Sequence, residues 1–414
     1  MRSENLVVSG KALIGAYGIG IETSWKSMLA KEPKPIIREY VCGDGTTYRY
    51  PVYPHPEINL RDWVDRDTYE WLSMQSLDQD ADFSLALVAI QQALEDAGLL
   101  ECRSSRISLV LGHENLGVAK LADLMLRGQQ EGNVTFNKYS DSFFQIQTFP
   151  YLFYLSKIFN LTAPNFVINN ACATGLYGLL MAQYLLDSDS ADAVVIACSD
   201  YAHITKYLWL QEKGFISRSG IVRPFDRDRD GSVLGDGAAA IVLEKAATLS
   251  RRRHLTNAIS YKGGIARQES WRMTFPNPVD AVHTKVLSDT LAQWALEGLD
   301  LLVPHGAGST LWDRYEAESI RNAFSLNYLS IPTVMALKGY LGHTLGASGL
   351  IETVLMLECM NRDQILPTLQ YDNPDRQTEL PLSQEIQTKP IRRAIKSLPA
   401  YGGFHATAMF EKTD

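Results

Sequence analysis

Residues 167–186 constrain the fold more than any other stretch. Val167-Ile168-Asn169-Asn170 opens β-branched, Ala171-Cys172-Ala173-Thr174-Gly175 is a run of small residues, and 176–186 stays apolar at helical spacing. That order predicts a strand, a sharp turn and a helix whose first residue carries a thiol, like a nucleophile elbow with sulfur in place of a hydroxyl. A helix apolar over most of its circumference belongs in a protein interior. Its N-terminus presents unpaired N–H groups and a partial positive charge, which favour thiolate over thiol. An isolated buried cysteine is ordinarily a small core residue, so the case for Cys172 depends on the rest of the chain.

Elsewhere apolar strand-like runs alternate with helical patterns. Strands are expected at 6–8, 107–111, 193–197, 238–243, 258–261 and around Leu301. Helices are expected at 21–29 (capped by Thr23 or Ser24), 82–98, 279–297 and 315–324. Such alternation predicts an α/β protein with mostly parallel sheets covered by helices. No Pro- or Ser-rich linker divides the chain and no short repeat is visible. Two unequal α/β halves fit, 1–250 with the cysteine and 251–414 with two special histidines.

The 414 residues are 46% hydrophobic, enough for a large core. Lys and Arg number 39 against 47 Asp and Glu, a net charge of −8, which argues against nucleic acid and anionic membranes as partners. Arg251-Arg252-Arg253 reads as a solvated connection. The five cysteines are scattered without a C-x-x-C pair; neither a disulfide framework nor a zinc site is suggested, and a reducing compartment fits. No run reaches the roughly 20 apolar residues a membrane span needs, and the start of the sequence lacks a signal-peptide pattern. A cytoplasmic protein is expected. Asp226-x-Asp228-x-Asp230-Gly231 imitates an EF-hand, but Gly237 stands where a bidentate Glu is required. The glycines of 15–20 lack nucleotide-loop spacing and read as turn residues.

Two histidines occupy positions as special as that of Cys172. His305 ends an apolar strand in Leu301-Leu302-Val303-Pro304-His305-Gly306-Ala307-Gly308-Ser309, and His343 lies in the glycine-rich 338–349. Glycine flanks allow backbone and ligand to approach closely, which a core-packing histidine does not need. With 171–175, Arg223 to Gly231, Gly235-Asp236-Gly237-Ala238-Ala239, 305–309, 338–349 and Tyr401-Gly402-Gly403-Phe404-His405-Ala406 in the family's order and spacing, the chain resembles a β-ketoacyl synthase, the ketosynthase branch of the thiolase-like superfamily. The resemblance runs from the Val7-Val8 strand almost to the C-terminus. It implies a thiolase-like five-layer α-β-α-β-α sandwich from two related halves, with the Cys172 and Ala347 helices as its buried central pair.

The resemblance also implies a decarboxylative Claisen condensation between a Cys172-bound acyl group and a malonyl thioester. His305 and His343 would donate to the thioester oxygen as enolate charge develops, and the backbone N–H groups of Cys172 and Tyr401 would form an oxyanion hole. Lys338 and Glu352 would pair and set the electrostatics around the histidines. Asp313, Glu316 and Glu318 are expected to support the site rather than act as acids or bases. A Cys–His hydrolase has no use for a second imidazole, and that count favours condensation. The substrate carrier would be the phosphopantetheine arm of an acyl carrier protein, with no permanently bound cofactor and no metal. Ser309, Ala307 and Phe404 are expected along the pantetheine path, and Arg218 is the candidate carrier-docking cation.

Three departures from the family pattern matter. Ala307 and Ser309 replace two threonines, Tyr401 stands at a phenylalanine gate, and Phe404-His405 replaces Thr-Asn. They point to a stand-alone synthase of a specialised fatty-acid or polyketide pathway, working as a homodimer or beside a ketosynthase-like subunit. The rival readings are an acyltransferase that forms an ester or amide without a carbon–carbon bond, and a non-catalytic chain-length partner.

Overall fold

The computed structural model describes residues 5–31, 34–102, 105–114, 117–119, 121–122, 147–252, 258–295 and 298–413. Arg253 and Glu297, named above in the basic cluster and at a helix end, lie outside them.

Ten strands form the path of one twelve-stranded sheet. They are β1 (Leu6–Gly15), β2 (Ile107–Gly112), β3 (Phe166–Ile168), β4 (Ala193–Asp200), β5 (Gly237–Lys245), β6 (Ile259–Gly263), β7 (Leu301–Val303), β8 (Thr333–Val334), β9 (Arg393–Pro399) and β10 (Phe404–Lys412). Across the sheet the order is β8-β7-β9-β10-β6-β1-β5-β4-β2-β3. The halves repeat one topology. In the first, β1 pairs antiparallel with β5, β5 antiparallel with β4, β4 parallel with β2 and β2 parallel with β3. In the second, β6 pairs antiparallel with β10, β10 antiparallel with β9, β9 parallel with β7 and β7 parallel with β8. An antiparallel β1–β6 pair, Leu6 opposite Tyr261, joins them.

The sheet is therefore mixed, where strand–helix alternation predicted mostly parallel pairing. The reason is local. β9 and β10 are joined by the short turn at Tyr401–Gly403, which permits only an antiparallel neighbour. The corresponding β5 returns antiparallel beside β4.

Five helices position the site. α1 (Ala81–Ala97) covers the first half, and α3 (Val282–Trp294) and α4 (Thr310–Leu326) cover the second. α2 (Thr174–Asp187) and α5 (Ser348–Arg362) lie between the sheet halves and touch both. α1 begins at an Asp80 cap that accepts from Phe83 N and stops at Gly98 in the left-handed conformation, as its sequence demands. α5 is buried at every position from Ser348 to Met360. α2 and α5 approach so closely that a Cβ on Gly175 would stand 2.6 Å from Leu350 N; only glycine permits that contact.

One smaller expectation is corrected. Helix Ile21–Leu29 is preceded by Gly20 with no side-chain cap, and Ser24 donates to Gly20 O at 2.6 Å instead. Arg251 and Arg252 are exposed in a turn, and Arg252 is also anchored, its Nη2 donating to both oxygens of the buried Glu244 carboxylate at 2.7 and 2.5 Å.

Candidate active site

Cys172 lies in the turn between β3 and α2. Ala171 before it adopts φ 50°, a left-handed conformation that costs an L residue roughly 1–2 kcal/mol and is held here by Thr174. The Thr174 hydroxyl accepts from Asn170 N at 2.8 Å and donates to Ala171 O at 2.6 Å. The helix starts at Thr174, two residues beyond the sulfur, not at Cys172 as the sequence suggested.

His343 holds the topologically equivalent place in the other half, after β8 and before α5. Its backbone is clamped by the glycine motif of 231–237: His343 N donates to Val233 O at 2.7 Å and Gly235 N donates to His343 O at 3.0 Å. His305 follows β7. Its amide and that of Gly306 donate to the two oxygens of Glu316 at 2.6 and 2.9 Å. Asp313 accepts from Phe225 N at 2.8 Å and Gly308 N at 3.1 Å. Glu316 and Asp313 thus shape the turn that presents the imidazole. Burial pushes them up, Glu316 to about 7 and Asp313 to about 6. Glu318, by contrast, faces solvent.

From these three elements Cys172, His305 and His343 converge, one donor atom of each lying within 4.8 Å of the others. Cys172 Sγ is 3.4 Å from His343 Nε2, and the imidazoles meet edge-to-face at 5.1 Å. All three are buried, at 7%, 4% and 1% exposure, so little water competes for their hydrogen bonds. Leu345 N–H donates to His343 Nδ1 at 3.0 Å. In a neutral ring that leaves the proton on Nε2, aimed at the sulfur. Burial first, and then the Lys338 cation, hold His343 well below the usual imidazole range. His305 is lowered in the same way, with His343 and Lys396 adding to the effect.

The thiol behaves otherwise than the helix-terminus argument suggested. Burial pushes Cys172 well above the usual thiol range, Glu114 and Asp200 add to the rise, and Lys338 opposes it. Desolvation of a sulfur anion outweighs a helix end two residues away.

Behind the histidines lies an ionic group that the sequence revealed only in part. Lys338 pairs with Glu352. Lys396 on β9 reaches the other Glu352 oxygen at 2.6 Å and donates to Pro304 O at 2.8 Å, tying the cation to the His305 turn. Burial lowers Lys396 while Glu352 opposes the shift. A lysine amid Ala394, Ile395 and Leu398 on a strand was the available signal.

A second group was missed entirely. Asp200 accepts from Lys206 and, at 3.1 Å, from Gly346 N beside the His343 loop. Asp82 accepts from Tyr201 N at 2.6 Å and lies 3.1 Å from His113 Nε2. Glu114, next to His113, reaches the reaction cleft. Titratable residues directly after the apolar strand at 107–112 were the overlooked clue. Asp82, His113 and Asp200 have metal-ligand spacing, yet the Lys206 ammonium already sits on Asp200 and opposes a cation. Cys172, His305 and His343 match a zinc donor set in type, but the adjacent Lys338 charge disfavours a divalent ion. The EF-hand-like carboxylates serve separate loops: Asp226 accepts from Asp372 N and Asn373 N, and Asp230 from Ser217 and Ser219.

The cleft over Cys172 is narrow and is walled by Phe215, Ala307, Trp312, Leu345 and Tyr401. Tyr401 packs against Phe215 and Trp312 at 5.5 and 5.6 Å. Ser309 caps α4, accepting from Trp312 N at 3.5 Å. Phe404 lies edge-on to Tyr177 at 5.7 Å, while His405 is fully buried 3.5 Å from Glu269. Arg218 is exposed, and no helix among the described residues is long and apolar enough to cross a membrane.

Known proteins resemble the chain over most of its length. Residues 4–248 match the β-ketoacyl synthase N-terminal domain and residues 260–372 its C-terminal domain. A 3-oxoacyl-[acyl-carrier-protein] synthase 2 of Coxiella burnetii is 25% identical over 433 residues, covering 100% of this chain and 99% of that one. The tetracenomycin polyketide synthase ketoacyl synthase alpha subunit of Streptomyces glaucescens is 28% identical over 258 residues, 60% of each chain. Among solved structures, the ishigamide ketosynthase/chain length factor superposes with a TM-score of 0.82 at 20% identity, covering 100% of both chains. A type II polyketide-synthase acyl-carrier protein in complex with its ketosynthase bound to the hexaketide gives a TM-score of 0.79 at 18% identity, again over 100% of both. The fold is thiolase-like. The chain belongs to the β-ketoacyl synthase family, acyl-transferring enzymes that join thioesters by decarboxylative Claisen condensation.

Proposed function

We propose that Cys172 carries the growing acyl group and that His343 and His305 stabilise the enolate of a malonyl thioester held by an acyl carrier protein. In the first half-reaction Cys172 sulfur bonds the incoming acyl carbon, the pantetheine sulfur leaves, and the thiol proton passes to it. In the second, the malonyl C–CO₂ bond breaks, CO₂ departs, and charge develops on the thioester oxygen. The enolate carbon then attacks the Cys172 thioester, a carbon–carbon bond forms, and the cysteine sulfur leaves and recovers a proton. Amides of Cys172 and Tyr401 receive the tetrahedral oxyanion.

The supporting observation is the Leu345 N–H on His343 Nδ1. It makes Nε2 a donor facing the sulfur, so this ring suits oxyanion stabilisation and not removal of the thiol proton. Donors preorganised in a water-poor site contribute roughly 3–4 kcal/mol each. Transfer to an alcohol or amine would leave this decarboxylation machinery idle, and a chain-length partner lacks the nucleophile; neither alternative is favoured.

The carrier's phosphopantetheine would enter past Ala307, Ser309 and Phe404, with Arg218 meeting an acidic carrier. We further propose a dimer, a cytoplasmic setting, a specialised fatty-acid or polyketide pathway, and a division into halves 1–250 and 251–414. Cys172→Ala should abolish condensation. His343→Ala should slow CO₂ release from malonyl carrier by about 10²–10³-fold while intact mass still detects acyl-Cys172. Normal CO₂ release by His343→Ala would refute the role given to that ring.

A further inference from the structure

The condensation accounts for the sulfur, both imidazoles and the lysine–glutamate group, but not for Glu114. This residue follows β2 as His305 follows β7, at the matching strand end of the other half, and it lines the cleft with Cys172, Phe215 and Leu345. Its backbone carbonyl is fixed by Asn169 Nδ2 at 2.5 Å, which ties it to the turn that carries the nucleophile. Its backbone packs closely on the His343 loop: a Cβ on Gly346 would lie 2.8 Å from Glu114 N. Among the described residues, its buried Oε2 has no hydrogen-bond partner. Burial, with Asp200 contributing, raises its pKa from the usual carboxylate range to about 7, Lys206 and His113 opposing the rise.

An unpartnered carboxyl oxygen in a cleft walled mostly by apolar side chains, apart from the reacting groups, needs something the free protein lacks. The cations Lys338, Lys396 and Lys206 already pair with Glu352 and Asp200. A site so furnished disfavours a further ammonium and suits a neutral donor. Building on the condensing-enzyme reading, we propose that Glu114 is a specificity-determining residue that selects an acyl group bearing a hydroxyl, hydrogen-bonded to its side chain while the acyl carbon is bound to Cys172. A plain alkyl chain leaves Glu114 unpaired in the closed cleft, which is how a hydrogen-bonding pocket rejects an analogue lacking the group. Both ionisation states of Glu114 accept from a hydroxyl, so the preference persists on either side of neutral pH.

The test loads the full-length protein with carrier-bound acyl groups matched in length, with and without a hydroxyl at C3, C4 or C5, and follows acyl-Cys172 by intact mass. At least one hydroxyacyl group should acylate wild type 10-fold or more faster than its alkyl counterpart. Glu114→Leu should reverse that order, and Glu114→Gln, close in shape, should retain part of it. Equal wild-type rates at every position, or a preference surviving in Glu114→Leu, would overturn the assignment while leaving condensation intact. The wild-type comparison decides even if Glu114→Leu misfolds. Absence of acyl-Cys172 from every donor would overturn the condensing-enzyme reading and this inference with it.

Discussion

Neutralising Glu352 should be far more damaging than a conservative change suggests. Glu352, Lys338 and Lys396 are at most 1% exposed, and the carboxylate bridges both ammonium groups. Glu352→Gln keeps the shape but strands two cations in the interior. Breaking a buried ion pair by removing one partner costs about 3–5 kcal/mol, and the Lys396 carbonyl bonds to Pro304 and Ser397 compensate only partly, being dipoles and not charges. Urea unfolding followed by tryptophan fluorescence should show a loss of that size. The double variant Glu352→Gln/Lys396→Met should recover at least half of it, because one stranded cation is gone. A single variant within about 1 kcal/mol of wild type, below the cost cited for a stranded charge, or a double variant no better than the single, would refute the claim that both lysines depend on this one carboxylate.

Gly175→Ala should destabilise the protein by about 1–3 kcal/mol and slow Cys172 acylation, since the added methyl meets Leu350 backbone; stabilisation, as helix propensity alone predicts, would refute the close-contact argument. Burial holds His405 down to about 4 from its usual 6.5, so between those values the unfolded chain binds a proton that the folded protein refuses. The stability difference between wild type and His405→Asn should therefore shift against wild type by about 3 kcal/mol as pH falls from 7.5 to 4, and a pH-independent difference would refute it.

The chemistry of the nucleophile and the histidines was legible because each lies where an apolar strand breaks into glycines or small residues, a local pattern. The two-layer burial of α2 and α5 was legible for a similar reason, their lack of a polar face. What escaped detection depended on distant partners. Lys396 gains meaning only from Glu352, and Glu114 and His113 only from Asp200, Lys206 and Asp82 across α1 and β4. The strand directions were misread because alternation reports which elements occur, not which neighbour each chooses. The state of the Cys172 thiol was misread because a one-dimensional argument about a helix end omits the desolvation imposed by the opposite half.

The repeated topology has its own consequence. Sulfur and imidazole occupy matching corners of two copies of one scaffold, and neither copy has a complete set of reactive groups. Any drift along the β1–β6 seam would pull nucleophile and proton donor apart together. Evolution of this catalyst must therefore act on the pair as a single inherited unit, with each copy free to diverge only in ways the other tolerates.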